Sequence, residues 1–140
     1  MRCPIQVELL THLGFSDAFR ARRMKALSGG WRVRTALAAA LFAKPDVLLL
    51  DEPTNHLSID AVMWLTREIA TSATWDSRIV VVVSHDRYFL DRIATHILAF
   101  EGDSHVHFFE GNYQEYAKDR AERLGVAVDQ IKPLKFAKVV

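Results

Sequence analysis

Val47-Leu48-Leu49-Leu50-Asp51-Glu52-Pro53 is the stretch on which the fold turns. Its apolar run, introduced by Lys44-Pro45-Asp46 and closed by two carboxylates and a proline, predicts a parallel strand buried on both faces. Pro53 stops the ladder there. In open α/β sheets ligands sit outside the carboxyl ends of the strands, so Asp51 and Glu52 stand where chemistry would be placed. Successive strand side chains point to opposite sides, which gives the two carboxylates different tasks, one holding a metal ion and the other orienting a water. Against this stands the plainer reading of a polar strand end.

The neighbouring segments weigh on that choice. After the loop Pro53-Thr54-Asn55-His56-Leu57-Ser58, residues 59–70 are apolar at Ile59, Val62, Met63, Leu65 and Ile69, the spacing of a helix packed on a sheet. A polar connection leads to Arg78-Ile79-Val80-Val81-Val82-Val83, whose β-branched run predicts a second strand buried on both faces and ending in Ser84-His85-Asp86. Strand, helix and parallel strand make a crossover that puts Asp51, Glu52 and His85 at one edge.

Upstream, Leu27-Ser28-Gly29-Gly30 precedes the Ala-rich run Thr35-Ala36-Leu37-Ala38-Ala39-Ala40-Leu41-Phe42-Ala43, a helix that Pro45 forbids from continuing. Ser28 can cap the first free amides, and the glycines leave the backbone bare for an anion at the positive end of the helix. An ordinary capped helix explains the tetrapeptide equally well. Around it lie six basic residues, Arg20, Arg22, Arg23, Lys25, Arg32 and Arg34, read either as a solvated face or as a surface for phosphate or RNA.

The flanks are quieter. Residues 1–20 read as a short amphipathic helix with Val7, Leu10 and Leu13 on one side, ended by Gly14, and a second turn through Asp17-Ala18-Phe19. Beyond His85, Asp86 caps a short helix through Leu90 and Ile93, and residues 95–100 and 104–109 form a hairpin about Glu101-Gly102-Asp103. His105 and His107 share a strand face, but without a third ligand they read as surface histidines. A charged helix starts after Gly111-Asn112 and runs through Lys118, Asp119, Arg120, Glu122 and Arg123 to Gly125, and the end, Ile131-Lys132-Pro133-Leu134-Lys135-Phe136, reads as a partly ordered tail.

Composition sets bounds. The 140 residues, 50% of them hydrophobic, suffice for one compact domain with a core. Eighteen basic and 17 acidic side chains leave a formal charge of +1, so no global field announces a nucleic acid or a membrane. The single cysteine, Cys3, excludes an internal disulfide framework and reads as inert. With no apolar stretch near the ~18 residues a bilayer demands and no secretory leader at Met-Arg-Cys-Pro-Ile, the expectation is a soluble, cytoplasmic protein with no membrane partner.

Taken together, Leu27-Ser28-Gly29-Gly30-Trp31, Leu48-Leu49-Leu50-Asp51-Glu52-Pro53-Thr54-Asn55-His56-Leu57 and Ser84-His85-Asp86 resemble, in order and spacing, the second half of an ATP-binding-cassette ATPase domain. Trp31, the Asn-His-Leu run, Ser-His-Asp-Arg-Tyr-Phe-Leu and the closing Gly-Asn-Tyr resemble the F subfamily, soluble twin-cassette proteins that act on ribosomes, and Trp31 resembles the first cassette. The resemblance covers about residues 25–120. It implies an α/β fold, part of a P-loop NTPase domain of the cassette type: parallel strands, flanking helices and a short C-terminal hairpin. Residues 1–120 would be the partial ATPase domain and 121–140 the start of a linker or tail.

By the same resemblance Ser28, Gly29 and Gly30 are the signature motif, which meets the γ-phosphate of ATP held by a second cassette. Asp51 acts on Mg²⁺ through water, Glu52 is the general base or water-orienting group, and His85 is the switch histidine touching the γ-phosphate, as phosphoryl transfer requires. Ser58 stands in the D-loop where the family usually has aspartate, which bears on communication between cassettes. No Gly-x-x-x-x-Gly-Lys-Ser/Thr run occurs in the 140 residues, so the expectation is half a cassette, inactive alone, with exposed strand edges inviting a homodimer or a strand swap. The implied partners of a complete protein are a second cassette and the ribosome or its RNA, and the implied cofactors ATP and Mg²⁺. The competing reading is a non-catalytic interaction module that keeps the fold and the basic surface of residues 20–34 to bind RNA or protein.

Overall fold

The computed structural model describes residues 4–102 and 105–125; Cys3 and the stretch 131–136 lie outside them. The chain forms two compact units, Met1–Phe89 and Leu90–Val140.

In the first unit, α1 (Pro4–His12) ends where Gly14 takes φ 87°, and the short α2 (Asp17–Arg20) follows. The predicted alanine-rich helix is α3 (Gly29–Ala43), whose inner face buries Leu37, Ala38 and Leu41. It stops because Lys44 turns left-handed, at φ 47°, and Pro45 has no amide to continue the ladder. Strand β1 (Val47–Asp51) comes next, and α4 (Ile59–Thr71) begins on Ser58, whose Oγ accepts from the Ala61 amide at 3.4 Å. Helix α1 packs on α3 and α4, and the His12 ring stacks on Trp64 at 4.9 Å. Leu65 of α4 is fully buried, as is Leu13 just beyond α1.

Strand β2 (Ile79–Val83) pairs with β1 in parallel, Val47 opposite Ile79 through Asp51 opposite Val83, which is the predicted crossover. Burial on both faces is not observed. Leu48 and Leu50 are buried at 3% and 8% exposure, whereas Leu49 is 71% exposed and Ile79, Val81 and Val83 about half or more. A strand's burial depends on what covers each face, and among the described residues only the Leu48 and Leu50 side of β1 is covered.

Helix α5 (Arg87–Ile93) is capped as expected, the Asp86 Oδ1 accepting from the Phe89 amide at 3.0 Å. The second unit then forms an antiparallel hairpin, β3 (His96–Gly102) with β4 (His105–Glu110), irregular between Phe100 and Gly102. Glu101 and Gly102, expected in the turn, belong to β3, and Asp103 lies outside the described residues. The charged helix is α6 (Tyr113–Leu124), opened by a reciprocal capping box between Asn112 and Glu115 and closed by Gly125 at φ 64°. Its Tyr116 and Ala121 are buried.

Helix and hairpin of this unit are joined through Glu101. Its Oε1 accepts from the Tyr116 hydroxyl at 2.8 Å, and the Arg123 guanidinium grips both carboxylate oxygens at 2.8 and 2.9 Å. The guanidinium holds the Glu101 pKa down at about 2 against the opposing pull of burial, with the Tyr116 hydroxyl adding to the depression. Burial and the same carboxylate push Tyr116 well up. No described helix is long and apolar enough to cross a membrane.

Candidate functional site

The parallel register delivers the carboxyl ends of β1 and β2 to one edge. Asp51 closes β1, exposed, opposite Val83. Glu52 takes the ladder one step further, its amide donating to the Val83 carbonyl at 2.8 Å, and there turns left-handed at φ 45°. An L-residue adopts that conformation only when its surroundings impose it, and such strain gathers at functional positions. The turn, rather than strand alternation alone, parts the two carboxylates. Glu52 Oε1 lies 3.6 Å from His85 Nε2, and Oε2 accepts from Ser84 Oγ at 3.5 Å. Ser84 Oγ in turn accepts from the Asp86 amide at 3.1 Å, which fixes the chain just past β2. The Glu52 side chain is one-quarter exposed and that of His85 about two-thirds, so a solvent molecule or ligand can reach both.

A second constellation stands at the start of α3. Ser28 occupies the N-cap with extended backbone, and its carbonyl accepts from the Arg32 amide at 3.0 Å. Its hydroxyl makes no capping hydrogen bond, contrary to the expected cap, so the oxygen remains available to an external group. A Cβ built on Gly29 would meet nothing within 4 Å, while one on Gly30 would lie 3.5 Å from the His56 Cβ. Packing within this chain therefore does not explain the bareness of Gly29. Ser58 serves as the α4 cap, a task an aspartate would also perform, so the departure from the family pattern leaves the local fold intact.

The basic cluster is partly spent inside the unit. Arg20 bonds Asp17, the Thr11 hydroxyl and the Phe15 carbonyl, and Arg34 donates to the carbonyls of His56 and Leu13. The exposed remainder is Arg22, Arg23, Lys25 and Arg32. Arg34, one of the six basic residues of the cluster, is thus engaged internally, and Ser84, which the strand-end pattern does not single out, holds Glu52. The spacing of Gly30 and Arg34, one helical turn apart on one face, was the signal that both meet the same neighbour. For His105 and His107, no group of three or more metal-ligating side chains occurs among the described residues, and His107 Nε2 lies 3.4 Å from Asp119.

The ABC transporter family model matches residues 6–55. The chain is 46% identical over 114 residues to ATP-binding cassette sub-family F member 2 of Bos taurus, covering 81% of this chain and 17% of that protein. It is 45% identical over 116 residues to ATP-binding cassette sub-family F member 3 of Homo sapiens, covering 83% of this chain and 16% of that protein. The chain belongs to the F subfamily of ATP-binding-cassette proteins. Its fold is that of part of a cassette ATPase domain. A dimeric cassette in a post-hydrolysis state with ADP and Pi is 26% identical and superposes with a TM-score of 0.55, covering 74% of this chain and 44% of that one. The archaeal ribosome recycling factor aABCE1, solved in complex with the ribosomal stalk protein aP1, shares the fold with a TM-score of 0.59 at 24% identity, over 84% of this chain and 27% of that one. This cassette segment thus spans less than a fifth of these two F-subfamily relatives.

Proposed function

We propose that this chain is the catalytic-edge and signature portion of an F-type cassette, in residues 1–120, followed from residue 121 by the start of a linker or a tail, and that the complete protein hydrolyses ATP between two cassettes to do work on the ribosome. The observation that carries the reading is the Glu52 carboxylate set between Ser84 Oγ at 3.5 Å and His85 Nε2 at 3.6 Å at the open edge of a parallel pair. Glu52 orients the attacking water or accepts its proton, and His85 faces the transferred phosphoryl group. Ser28, Gly29 and Gly30 present a hydroxyl and bare amides to the γ-phosphate of ATP on the second cassette. Residues fit for Mg²⁺ are present in the form this ion favours: one exposed carboxylate, Asp51, with water and substrate phosphates completing the shell. Held by Asp51, such an ion would supply neutralisation of the charge that develops on the phosphate. The ribosome as partner and the cytoplasm as location rest on the F-subfamily resemblance.

The internal engagement of Arg20 and Arg34 weighs against the alternative of a purely basic RNA- or protein-binding module. The test is Glu52→Gln in the complete protein. Glutamine keeps the shape but cannot act as a base, so ATP binding persists while turnover falls by ~10²–10⁴-fold. Undiminished turnover removes Glu52 from this role. The 140-residue chain alone, holding no Walker A lysine, binds ATP weakly and does not turn it over, and tight Mg²⁺-dependent binding in calorimetry would contradict that.

A further inference from the structure

We propose that Arg34 is a positioning residue that fastens the loop of residues 53–58 to the signature helix, so that loop and signature respond to nucleotide as one piece. The inference rests on the functional reading above, and deepens it.

The guanidinium makes three main-chain contacts at once. Its Nε donates to the His56 carbonyl at 2.8 Å, a terminal nitrogen donates to the same oxygen, and the other terminal nitrogen donates to the Leu13 carbonyl at 3.3 Å. His56 stands at φ 65°, a conformation that costs a histidine free energy unless something holds it, and the forked grip on its carbonyl is that hold. The fork lies over the Trp31 ring, its central carbon 4.5 Å from the centroid, and Trp31 is wedged against Phe19 at 4.4 Å and Phe15 at 4.8 Å. The His56 side chain lies beside the start of α3, where a Cβ built on Gly30, one turn before Arg34, would stand 3.5 Å from the His56 Cβ, in ordinary contact. Gly14 makes room on the far side, since a Cβ there would come within 3.1 Å of the Arg34 terminal nitrogen. A planar fork with several donors can meet two carbonyls while stacked on an indole, whereas a lysine ammonium cannot.

The consequence is mechanical. Ser28 and Gly29 open the helix whose second turn carries Arg34, the residue that grips the loop, and the carbonyl of Glu52, from which the loop departs, accepts from the Asn55 amide at 3.1 Å. A shift of the helix start is thereby passed to the loop and toward the carboxylate edge through one side chain.

The experiment compares Arg34→Met and Arg34→Lys in the complete protein, with two readouts: hydrogen exchange of the Asn55 and Leu57 amides, and steady-state ATP turnover. In Arg34→Met the loop amides exchange at least about tenfold faster, as loss of a charge-assisted hydrogen bond would give. Turnover falls by ~10–100-fold in kcat while KM for ATP moves by less than about threefold, the mark of lost positioning rather than lost binding. Arg34→Lys restores part of kcat. Thermal unfolding of Arg34→Met and Arg34→Lys beside the unsubstituted protein shows whether each variant is folded, and the lysine variant keeps the comparison interpretable where the methionine variant is not. Unchanged loop exchange in a folded Arg34→Met protein, or kcat unchanged with faster exchange, overturns the inference. Absence of turnover in the unsubstituted protein sinks the functional reading instead, and the exchange measurement then still decides whether Arg34 holds the loop.

Discussion

Replacing Glu101 by glutamine removes one charge and leaves the shape of the side chain nearly intact. In the second unit that charge is met by the bidentate Arg123 guanidinium at 2.8 and 2.9 Å, by the Tyr116 hydroxyl at 2.8 Å and by Arg120 Nε at 3.7 Å, with the carboxylate side chain only 15% exposed. Arg123 is one-third exposed and keeps its bond to Asp119, so solvent screening and the surviving bond reduce the loss. We expect a destabilisation of about 1–3 kcal/mol at pH 7, the range for hydrogen bonds to a charged group. The pH dependence follows from the sign of the shift. Glu101 is held from 4.5 down to about 2, so its contribution is fully present above the unfolded carboxyl's pKa and disappears as pH falls through the folded one. Urea unfolding of the 140-residue chain at pH 7, 4.5 and 2.5, followed by hydrogen exchange at the α6 amides, measures both. The difference between wild type and Glu101→Gln should shrink steadily over that interval. A loss that is equal at all three pH values, or a titration of Glu101 in the ordinary carboxylate range, would refute the electrostatic account.

Three further outcomes are expected. Gly29→Ala, whose new methyl group meets nothing within 4 Å, leaves the stability of the chain unchanged or raised by up to ~1 kcal/mol, yet lowers ATP turnover of the complete protein; a loss of stability with turnover intact would mean the glycine serves the fold. Leu65→Ala empties a fully buried site and costs about 2–5 kcal/mol in denaturant unfolding, and a cost under ~1 kcal/mol would show that α4 is not seated as described. Ribosomal RNA binds the chain weakly through Arg22, Arg23, Lys25 and Arg32 of the first unit, with affinity falling roughly 10- to 100-fold from about 50 to about 200 mM salt, as ~2–4 neutralised phosphates would give. Sub-micromolar binding that survives the higher salt would instead reveal a specific recognition surface.

What was legible in the sequence was local. Pro45 ends α3 for want of an amide, Asp86 caps α5, and Asn112 and Gly125 bracket α6, each through chemistry that its residue type favours. The β-branched run of β2 and the leucines of β1 gave the parallel pair, because no short loop can join parallel strands and a helix lies between them. Burial on both faces was not legible, since residue type records tolerance of burial and not the presence of a cover. Arg34 lies in a charge run that reads as a solvated face or a phosphate surface, but its guanidinium reaches across 22 residues to the His56 carbonyl, a partner the run does not contain. The left-handed conformations of Lys44, Glu52 and His56 have no local signature, because no glycine or asparagine marks them.

Register is what converts the two strands into a site. Because side chains alternate along a strand, a slip of one residue between β1 and β2 would replace the buried Leu48 and Leu50 by Leu49 and Asp51 on the covered face. Putting a carboxylate there unpaired costs several kcal/mol, so the leucines hold the register far more firmly than the two strands' hydrogen bonds could alone. The same slip would move the Glu52 amide off the Val83 carbonyl, and with it the carboxylate away from Ser84 and His85. Core packing and site geometry are therefore one constraint. Leu50→Asp, which puts a carboxylate on the covered face, should dissolve the Glu52–Ser84–His85 arrangement while the helices persist, and nuclear magnetic resonance shifts of the His85 ring that stay unchanged in that variant would refute the coupling.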